Sequence, residues 1–401
     1  MAGQIQGQFK ELISPFLQRK MAETAAQFGR RSPQYLALSR QYIREPREGI
    51  IDPVTQRDRH YHSEMLIDDA GRPLHGVERL YRRTVLLILT TACKAHCRWC
   101  LRSQYDVDTL KPEAIRTAAQ YFGSPACRDD VREVLITGGD PLMARVLVEC
   151  ALTEMARHAP NIEIVRIGTR LFMQDPDRID GEMARMFAAF SHLRIEIGTH
   201  FNHPVEFWPE TIDAIRRLQD VGALIYNQHP LLKGVNDSLE VLSELYDLLR
   251  AHGVEAHYLF HCVPMWGMAH HRTSVTRGLH LMNRLTSSGA FSGRAKPHYA
   301  AMTDVGKVSL YQGSILRRNE RNRDCQGAAA RNEILLQTGY RLDDRLRWNP
   351  SYRLPASART DGDGYLRVWY EDGTDQPYEV DRQIDEPRDS SFVGPVFQPV
   401  K

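Results

Sequence analysis

From residue 84 to residue 263 the chain alternates short runs of β-branched and apolar residues with longer segments whose apolar positions recur every three or four residues. The runs are "TVLLILTTA" (84–92), "EVLITGG" (133–139), "EIVRIGTR" (163–170), "RIEIGTHF" (194–201), "ALIYNQHP" (223–230) and "EAHYLFHCV" (255–263). Between them lie segments such as "KPEAIRTAAQYF", "EMARMFAAF", "PETIDAIRRLQDVG" and "SLEVLSELYDLLRAHG", which carry an apolar stripe at helical period and Gly at their ends. Strand then helix, six times over, predicts a parallel sheet with helices outside it. A full or partial barrel and an open doubly wound sheet both satisfy that pattern. No G-x-G-x-x-G follows the first strand, which weakens a dinucleotide-binding sheet. The expectation is an α/β fold: a partial (β/α)6 TIM-like barrel.

The flanks break the rhythm. Residues 1–75 form an N-terminal extension with a helical pattern in "FKELISPFLQRKMAETAAQF", followed by a polar stretch. Residues 76–315 are the core. Residues 316–401 form an appendage, in which "DGDGYLRVWYEDGTDQPYEV" predicts a strand, a turn at Asp-Gly and a second strand. The final "DEPRDSSFVGPVFQPVK" reads as a tail laid across a neighbour.

Composition narrows the class. With 401 residues, 42% apolar and 25% charged, the chain is that of a globular protein, and no window approaches the eighteen or more apolar residues of a membrane span. The N-terminus lacks the basic and apolar regions of a secretory signal, so a cytoplasmic, reducing setting is expected. A formal charge of +2 gives no drive toward nucleic acid, and the arginines of "LRRNERNR" (316–323) are interleaved with Asn and Glu. Seven cysteines at 93, 97, 100, 127, 150, 262 and 325 do not form a disulfide framework. Cys127, Cys150, Cys262 and Cys325 stand alone and read as small buried apolar residues.

Cys93, Cys97 and Cys100 are different. Their C-x3-C-x2-C spacing falls just past the first strand, at the end of a barrel where catalytic loops gather. Three thiolates on one loop hold three irons of a four-iron cluster and leave the fourth open to an exchangeable ligand. The alternative is a zinc knuckle completed by His96, although structural zinc is usually held by two separated ligand pairs.

This spacing after the first strand of a β/α barrel resembles the radical S-adenosylmethionine superfamily, and the segments downstream resemble one branch of it. "LITGGDPLM" (135–143), "IVRIGTR" (164–170), "THFNHPVE" (199–206), "NQHPLLKGVND" (227–237) and "SSGAFSGRAKPHY" (287–299) are similar, in order and interval, to signatures of the lysine 2,3-aminomutase family. The resemblance implies a [4Fe-4S] cluster on Cys93, Cys97 and Cys100, with Trp99 beside it. It implies S-adenosyl-L-methionine chelated to the open iron and cleaved to a 5'-deoxyadenosyl radical. It also implies pyridoxal 5'-phosphate (PLP), held by a lysine and passed to the amine of an amino acid substrate. In the turn Gly138-Gly139-Asp140, backbone N–H groups can approach a ligand unobstructed and the Asp140 carboxylate is expected to accept from an ammonium, and the resemblance implies that this turn grips the methionyl amine.

By the same resemblance Lys307 is the PLP lysine, although only Gly306 remains of the family's glycine run, and Lys296 is a second candidate. Arg102 matches the arginine that clamps the substrate carboxylate, a task suited to a guanidinium fork. Tyr81 matches a cofactor-contacting tyrosine, and His203, Asn227 and Gln228 match pocket residues. Where lysine-specific relatives place two carboxylates around the distal ammonium, this chain has Val263 and a position near Met302, so free lysine is disfavoured as substrate. Asp304 restores one carboxylate if the register shifts, and His261, Trp266 and His298 suggest a pocket for a polar, aromatic or anionic group. A C-terminal zinc site is not expected, since Cys325 is alone. The resemblance further implies an electron donor such as a flavodoxin or ferredoxin, and a homo-oligomer. The expected activity is a PLP-dependent amino acid 2,3-aminomutase, a radical isomerase that makes a β-amino acid. The runner-up is an enzyme on the same scaffold that performs hydrogen abstraction without PLP.

Overall fold

A computed structural model describes residues 10–49, 71, 73–79, 81–102, 108–265, 267–287, 289, 291, 296–320, 332–350 and 352–375. Trp266, Cys325 and the tail from 376 onward lie outside the described residues. The main sheet runs in chain order: β1 (Val77–Glu78), β2 (Thr84–Thr90), β3 (Glu133–Gly138), β4 (Ile164–Gly168), β5 (Arg194–Thr199), β6 (Leu224–Leu231), β7 (Glu255–His261), β8 (His298–Thr303) and β9 (Gly306–Ser309). Strands β2 to β8 are parallel, while β1 and β9 pair antiparallel on the two edges, so the barrel is open. Six of the parallel strands coincide with the six apolar runs. The seventh, β8, follows the helix Val275–Ser287, and its sequence "HYAAMT" carries too few β-branched residues to stand out.

Strand alternation sorts the residues by face. Val134, Ile136, Val165, Ile167, Ile195, Ile197, Ile225 and Leu259 are buried in one core with Ile115, Leu152, Ile215 and Leu245 of the surrounding helices. Each such burial contributes about 1.5–3 kcal/mol, which makes this outer layer the frame of the molecule. The opposite faces of β3 to β6 supply Glu133, Arg166, Glu196, Tyr226 and Gln228, none fully buried, so the lumen is polar.

The N-terminal extension contributes α1 (Pro15–Phe28) and α2 (Pro33–Tyr42), each opened by a serine cap, Ser14 or Ser32, with proline in the first turn. Helical structure begins at Pro15, later than the apolar pattern suggests, and residues 10–14 run irregularly past the cysteine loop. Leu17, Tyr42 and Ala95 share a small apolar cluster there.

At the other end, β10 (Ile315–Glu320), β11 (Asn332–Arg341), β12 (Ala358–Thr360) and β13 (Tyr365–Glu371) form an antiparallel sheet in the order β10-β11-β13-β12. The hairpin turn lies at 361–364, ahead of β13. The expected second strand after "YLRVWYE" lies largely outside the described residues; before it, Asp372 accepts from the Val275 N–H at 2.7 Å, and Asp375 accepts from Ser274. Ile334, Leu336, Leu366, Val368 and Tyr370 belong to the same core as the barrel. The helix Leu342–Trp348 spans the open seam, with Arg79 beside β1 lying 5.5 Å from the Trp348 ring and Arg345 donating to the Val305 carbonyl beside β9. No helix among the described residues is long and apolar enough to cross a membrane.

Candidate active site

The cysteine loop leaves β2 and is held from both sides. On one side the N-terminal segment grips it: the His96 N–H donates to Leu12 O at 2.8 Å, and the Arg98 N–H donates to Gln41 O at 2.9 Å. The Arg98 guanidinium, almost wholly buried, pairs with Glu48 through Nε at 2.9 and 3.1 Å. His96 turns Nδ1 to Lys10 O at 2.7 Å. Among the described residues no three His, Cys, Asp or Glu side chains converge on a single metal position. Cys93, Cys97 and Cys100 are half-buried free thiols on one loop, close enough that Cys100 and Cys97 both act electrostatically on Cys93. Donors already face two of the sulfurs: Arg170 Nη1 lies 2.9 Å and Gln174 Nε2 3.5 Å from Cys97 Sγ, and the Arg102 N–H lies 3.4 Å from Cys100 Sγ. Burial, and then the neighbouring Cys100, Asp140 and Cys97, push the Cys93 thiol up against the pull of Arg170, so an unliganded thiolate is disfavoured there.

On the other side stands the Gly138-Gly139-Asp140 turn, whose first task differs from the one expected. The Gly139 and Asp140 N–H groups donate to Thr90 O at 2.7 Å and Ala92 O at 2.8 Å, pinning the cysteine loop instead of facing a ligand. The backbones approach so closely that a Cβ on Gly139 would sit 2.3 Å from Ala92 O. The Asp140 carboxylate is likewise occupied, accepting from Thr169 Oγ1 at 2.8 and 2.9 Å, the Arg170 N–H at 2.8 Å and the Leu142 N–H at 3.2 Å. Burial raises its pKa to about 6 despite these donors. Asp140 therefore ties the end of β3 to the end of β4, and its carboxylate is corrected from amine ligand to bracket.

Trp99 Nε1, His200 Nδ1, Thr199 Oγ1 and Tyr226 Oη are buried with no partner among the described residues. Trp99 stacks on His200 at 5.4 Å between centroids. Buried polar atoms need partners, and Trp99 Nε1 and His200 Nδ1 beside the cysteine loop fit a ligand rich in polar groups such as S-adenosylmethionine.

Deeper in the lumen, Lys307 of β9 faces a cavity of about 310 Å³ lined by Tyr81, Thr84, Arg166, Tyr258, Ala300, Ser309 and Tyr340. Its Nζ lies 4.7 Å from the Tyr258 ring centroid and 5.3 Å from that of Tyr81. Burial, and then Arg166, lower its pKa to about 8, against the pull of Glu133. An amine so depressed is partly neutral near pH 8 and is available to a carbonyl. With Arg166, which pairs with Glu133, in the wall as a cation for a phosphate, these residues fit PLP.

Other expected residues are placed elsewhere. Arg102 directs both guanidinium nitrogens at Glu78, each pair 3.5 Å apart, so a substrate carboxylate would compete with Glu78. His203 caps a short turn, its Nδ1 accepting from the Val205 N–H at 3.1 Å, and burial lowers its pKa to about 4. Asn227 is spent on both backbone groups of Phe201. Gln228 alone of the three faces the lumen, beside Gly198. His261 points outward to Tyr370 Oη at 2.8 Å and Thr273 O at 2.9 Å, and Lys296 binds Thr286 O at 2.6 Å, so neither serves the pocket. Asp304 accepts from Ser357. His298 stays at the cavity's edge, 5.6 Å from the Tyr258 ring. Arg170, Gln174, Arg166, Tyr258 and Tyr340 were not singled out from the sequence. Arg170 and Arg166 both lie in the quoted "IVRIGTR", and the only signal was a charged residue within an otherwise apolar strand and turn.

An open β/α barrel with a three-cysteine loop after its first parallel strand is the architecture of a radical enzyme core. The Radical SAM superfamily model matches residues 87–246. A provisionally named L-lysine 2,3-aminomutase of Aquifex aeolicus is 36% identical over 267 residues, covering 63% of this chain and 70% of that protein. The chain belongs to the radical SAM superfamily and, within it, to the lysine 2,3-aminomutase family. An L-lysine 2,3-aminomutase of Fusobacterium nucleatum is 34% identical over 237 residues, 58% of this chain and 54% of that enzyme, so the match spans little more than half of that relative. A glutamate 2,3-aminomutase of Clostridioides difficile is 31% identical over 288 residues, 69% of this chain and 65% of that enzyme. A solved radical SAM methyltransferase of Sphaerobacter thermophilus matches with a TM-score of 0.41 at 16% identity, over 73% of this chain and 96% of that one, a likeness too loose to carry weight.

Proposed function

We propose that the chain is a PLP-dependent amino acid 2,3-aminomutase acting on an α-amino acid other than free lysine. The observation that carries the reading is Lys307: a buried amine of lowered pKa in an aromatic-walled cavity of the barrel whose rim bears the cysteine loop. Cys93, Cys97 and Cys100 would hold the cluster, and Lys307, Tyr81 and Arg166 would hold PLP. When bound, these groups supply an electron for cleaving S-adenosylmethionine and a π-system across which nitrogen migrates. The chain's own residues do the rest. Lys307 holds a proton or releases it near pH 8, Tyr81, Tyr258 and Tyr340 keep water from its Nζ, and Arg166 neutralises an anion. Against lysine as substrate stand Val263 and Met302 at the positions where a distal ammonium needs carboxylates, and Asp304, whose carboxylate is engaged by Ser357.

The test is anaerobic reconstitution of the full chain with reductant, S-adenosylmethionine and a panel of α-amino acids including lysine and glutamate, with and without PLP. The readouts are 5'-deoxyadenosine and amine migration. Migration that requires PLP and is abolished in Lys307→Ala supports the reading. Turnover that is indifferent to PLP, or lysine as the best substrate, overturns it.

A further inference from the structure

Arg170 is the most heavily engaged side chain of the site, and the roles so far assigned do not use it. It is 7% exposed, and its guanidinium makes four contacts: Nη1 to Cys97 Sγ at 2.9 Å, Nε to His200 O at 3.2 Å, and Nη2 to both Gln41 Oε1 at 3.0 Å and Glu206 Oε1 at 2.9 Å. Its flat faces lie 5.3 Å from the Tyr42 ring and 5.2 Å from the Trp99 ring. Glu206, fully buried, is fixed in turn by the Asn202 and His203 N–H groups at 2.6 and 3.1 Å. Gln174 supplies a second, weaker donor to the same sulfur. Burying a guanidinium so completely is costly, and loop packing alone does not require a cation here.

We propose that Arg170 is a positioning residue that sets the reduction potential of the iron held by Cys97. A charge-assisted N–H···S bond withdraws electron density from the thiolate and favours the reduced cluster, which carries one more negative charge. Glu206 and Gln41 hold the guanidinium at that sulfur and keep it from turning toward the substrate. At Cys97 the donor is the Arg170 guanidinium, and at Cys100 it is the Arg102 backbone N–H at 3.4 Å. The inference rests on the three cysteines holding a cluster and is independent of the PLP assignment.

The experiment is an EPR-monitored redox titration of the full chain after anaerobic reconstitution, with iron and sulfide measured in every sample. At a fixed poise, Arg170→Gln is expected to lower the ratio of reduced to oxidised cluster about tenfold, a shift of about 59 mV for one electron. Arg170→Lys keeps the charge but loses the planar fork that reaches all four partners, and is expected to fall between wild type and Gln. Gln174→Leu is expected to produce a smaller drop in the same direction. A wild-type potential in Arg170→Gln with full iron content would overturn the proposal. If Arg170→Gln does not load iron, the other two variants decide, and wild-type potentials in both would overturn it. Wild-type protein without iron and sulfide would instead refute the cluster reading itself.

Discussion

At the scale of single residues, close backbone approach governs Gly139 and the burial of a charge governs Lys307. Gly139 lies where the β3 turn presses on the cysteine loop, and a methyl group there would meet Ala92 O at 2.3 Å, with the Thr91 carbonyl carbon at 2.5 Å. Backbone atoms cannot swing aside, so Gly139→Ala is expected to cost about 2 kcal/mol or more and to lower the iron bound per chain, read by thermal melting and iron assay. Lys307 presents an electrostatic cost. Its folded pKa of about 8 lies below the ordinary lysine value of 10.5, so below pH 8 both folded and unfolded chains are protonated and the full burial penalty stands. Between pH 8 and 10.5 the unfolded chain binds the extra proton, and stability rises with pH. Lys307→Met is therefore expected to be more stable than wild type at pH 7, by roughly 1–3 kcal/mol, with the gap narrowing above pH 8. Urea titrations of the PLP-free protein across that range would measure it, and a gap that widens with pH would contradict the buried amine.

At the scale of elements, the N-terminal segment acts as one jaw of a clamp and the β3–β4 turns as the other. The first jaw centres on Arg98 and Glu48, side chains only 1% and 6% exposed. Glu48→Ala would leave the buried guanidinium without its carboxylate and is expected to cost about 3–5 kcal/mol, whereas Arg98→Met combined with Glu48→Met should cost much less, because no lone charge remains. Denaturant midpoints of the single and double variants test this, and equal losses in both would refute the pairing. These elements also mark how far the sequence could be read. Strands β2 to β7 were legible because each is a short run rich in β-branched and apolar residues, most with a helical stripe after it, and the cysteine loop because three thiols in eight residues are rare. The clamp was not legible. Glu48, Gln41 and Lys10 look like solvated residues of an extension until the fold brings them to the cysteines, and β8, built on alanines, has no pattern of its own. The same holds within the site: Asn227 and His203 look like pocket residues at strand ends, yet one satisfies the Phe201 backbone and the other caps a turn.

At the scale of the molecule, the sheet does not close on itself, and what fills the seam completes the cavity. Tyr340, from β11, stands in the cavity wall with Lys307, and its hydroxyl donates to Lys307 O at 2.9 Å. The C-terminal sheet is bound to the barrel by Tyr370 on His261, by Arg272 on Glu371 at 2.8 Å, and by a shared apolar core. It is therefore part of the wall that dries the lysine, and the lowered pKa is a property of the assembled molecule and not of the strand that carries the residue. Tyr340→Ala should admit water and return the Lys307 pKa from about 8 toward its ordinary value. Tyr340→Phe keeps the wall, loses one hydrogen bond worth about 1 kcal/mol, and should leave the pKa where it is. The pH dependence of Lys307 acylation by a small amine-reactive reagent, followed at the labelled peptide by mass spectrometry, separates the two variants without any cofactor present. A midpoint unmoved by Tyr340→Ala would mean that the barrel alone depresses the amine. In that case the C-terminal sheet would stabilise the fold without shaping the chemistry inside it.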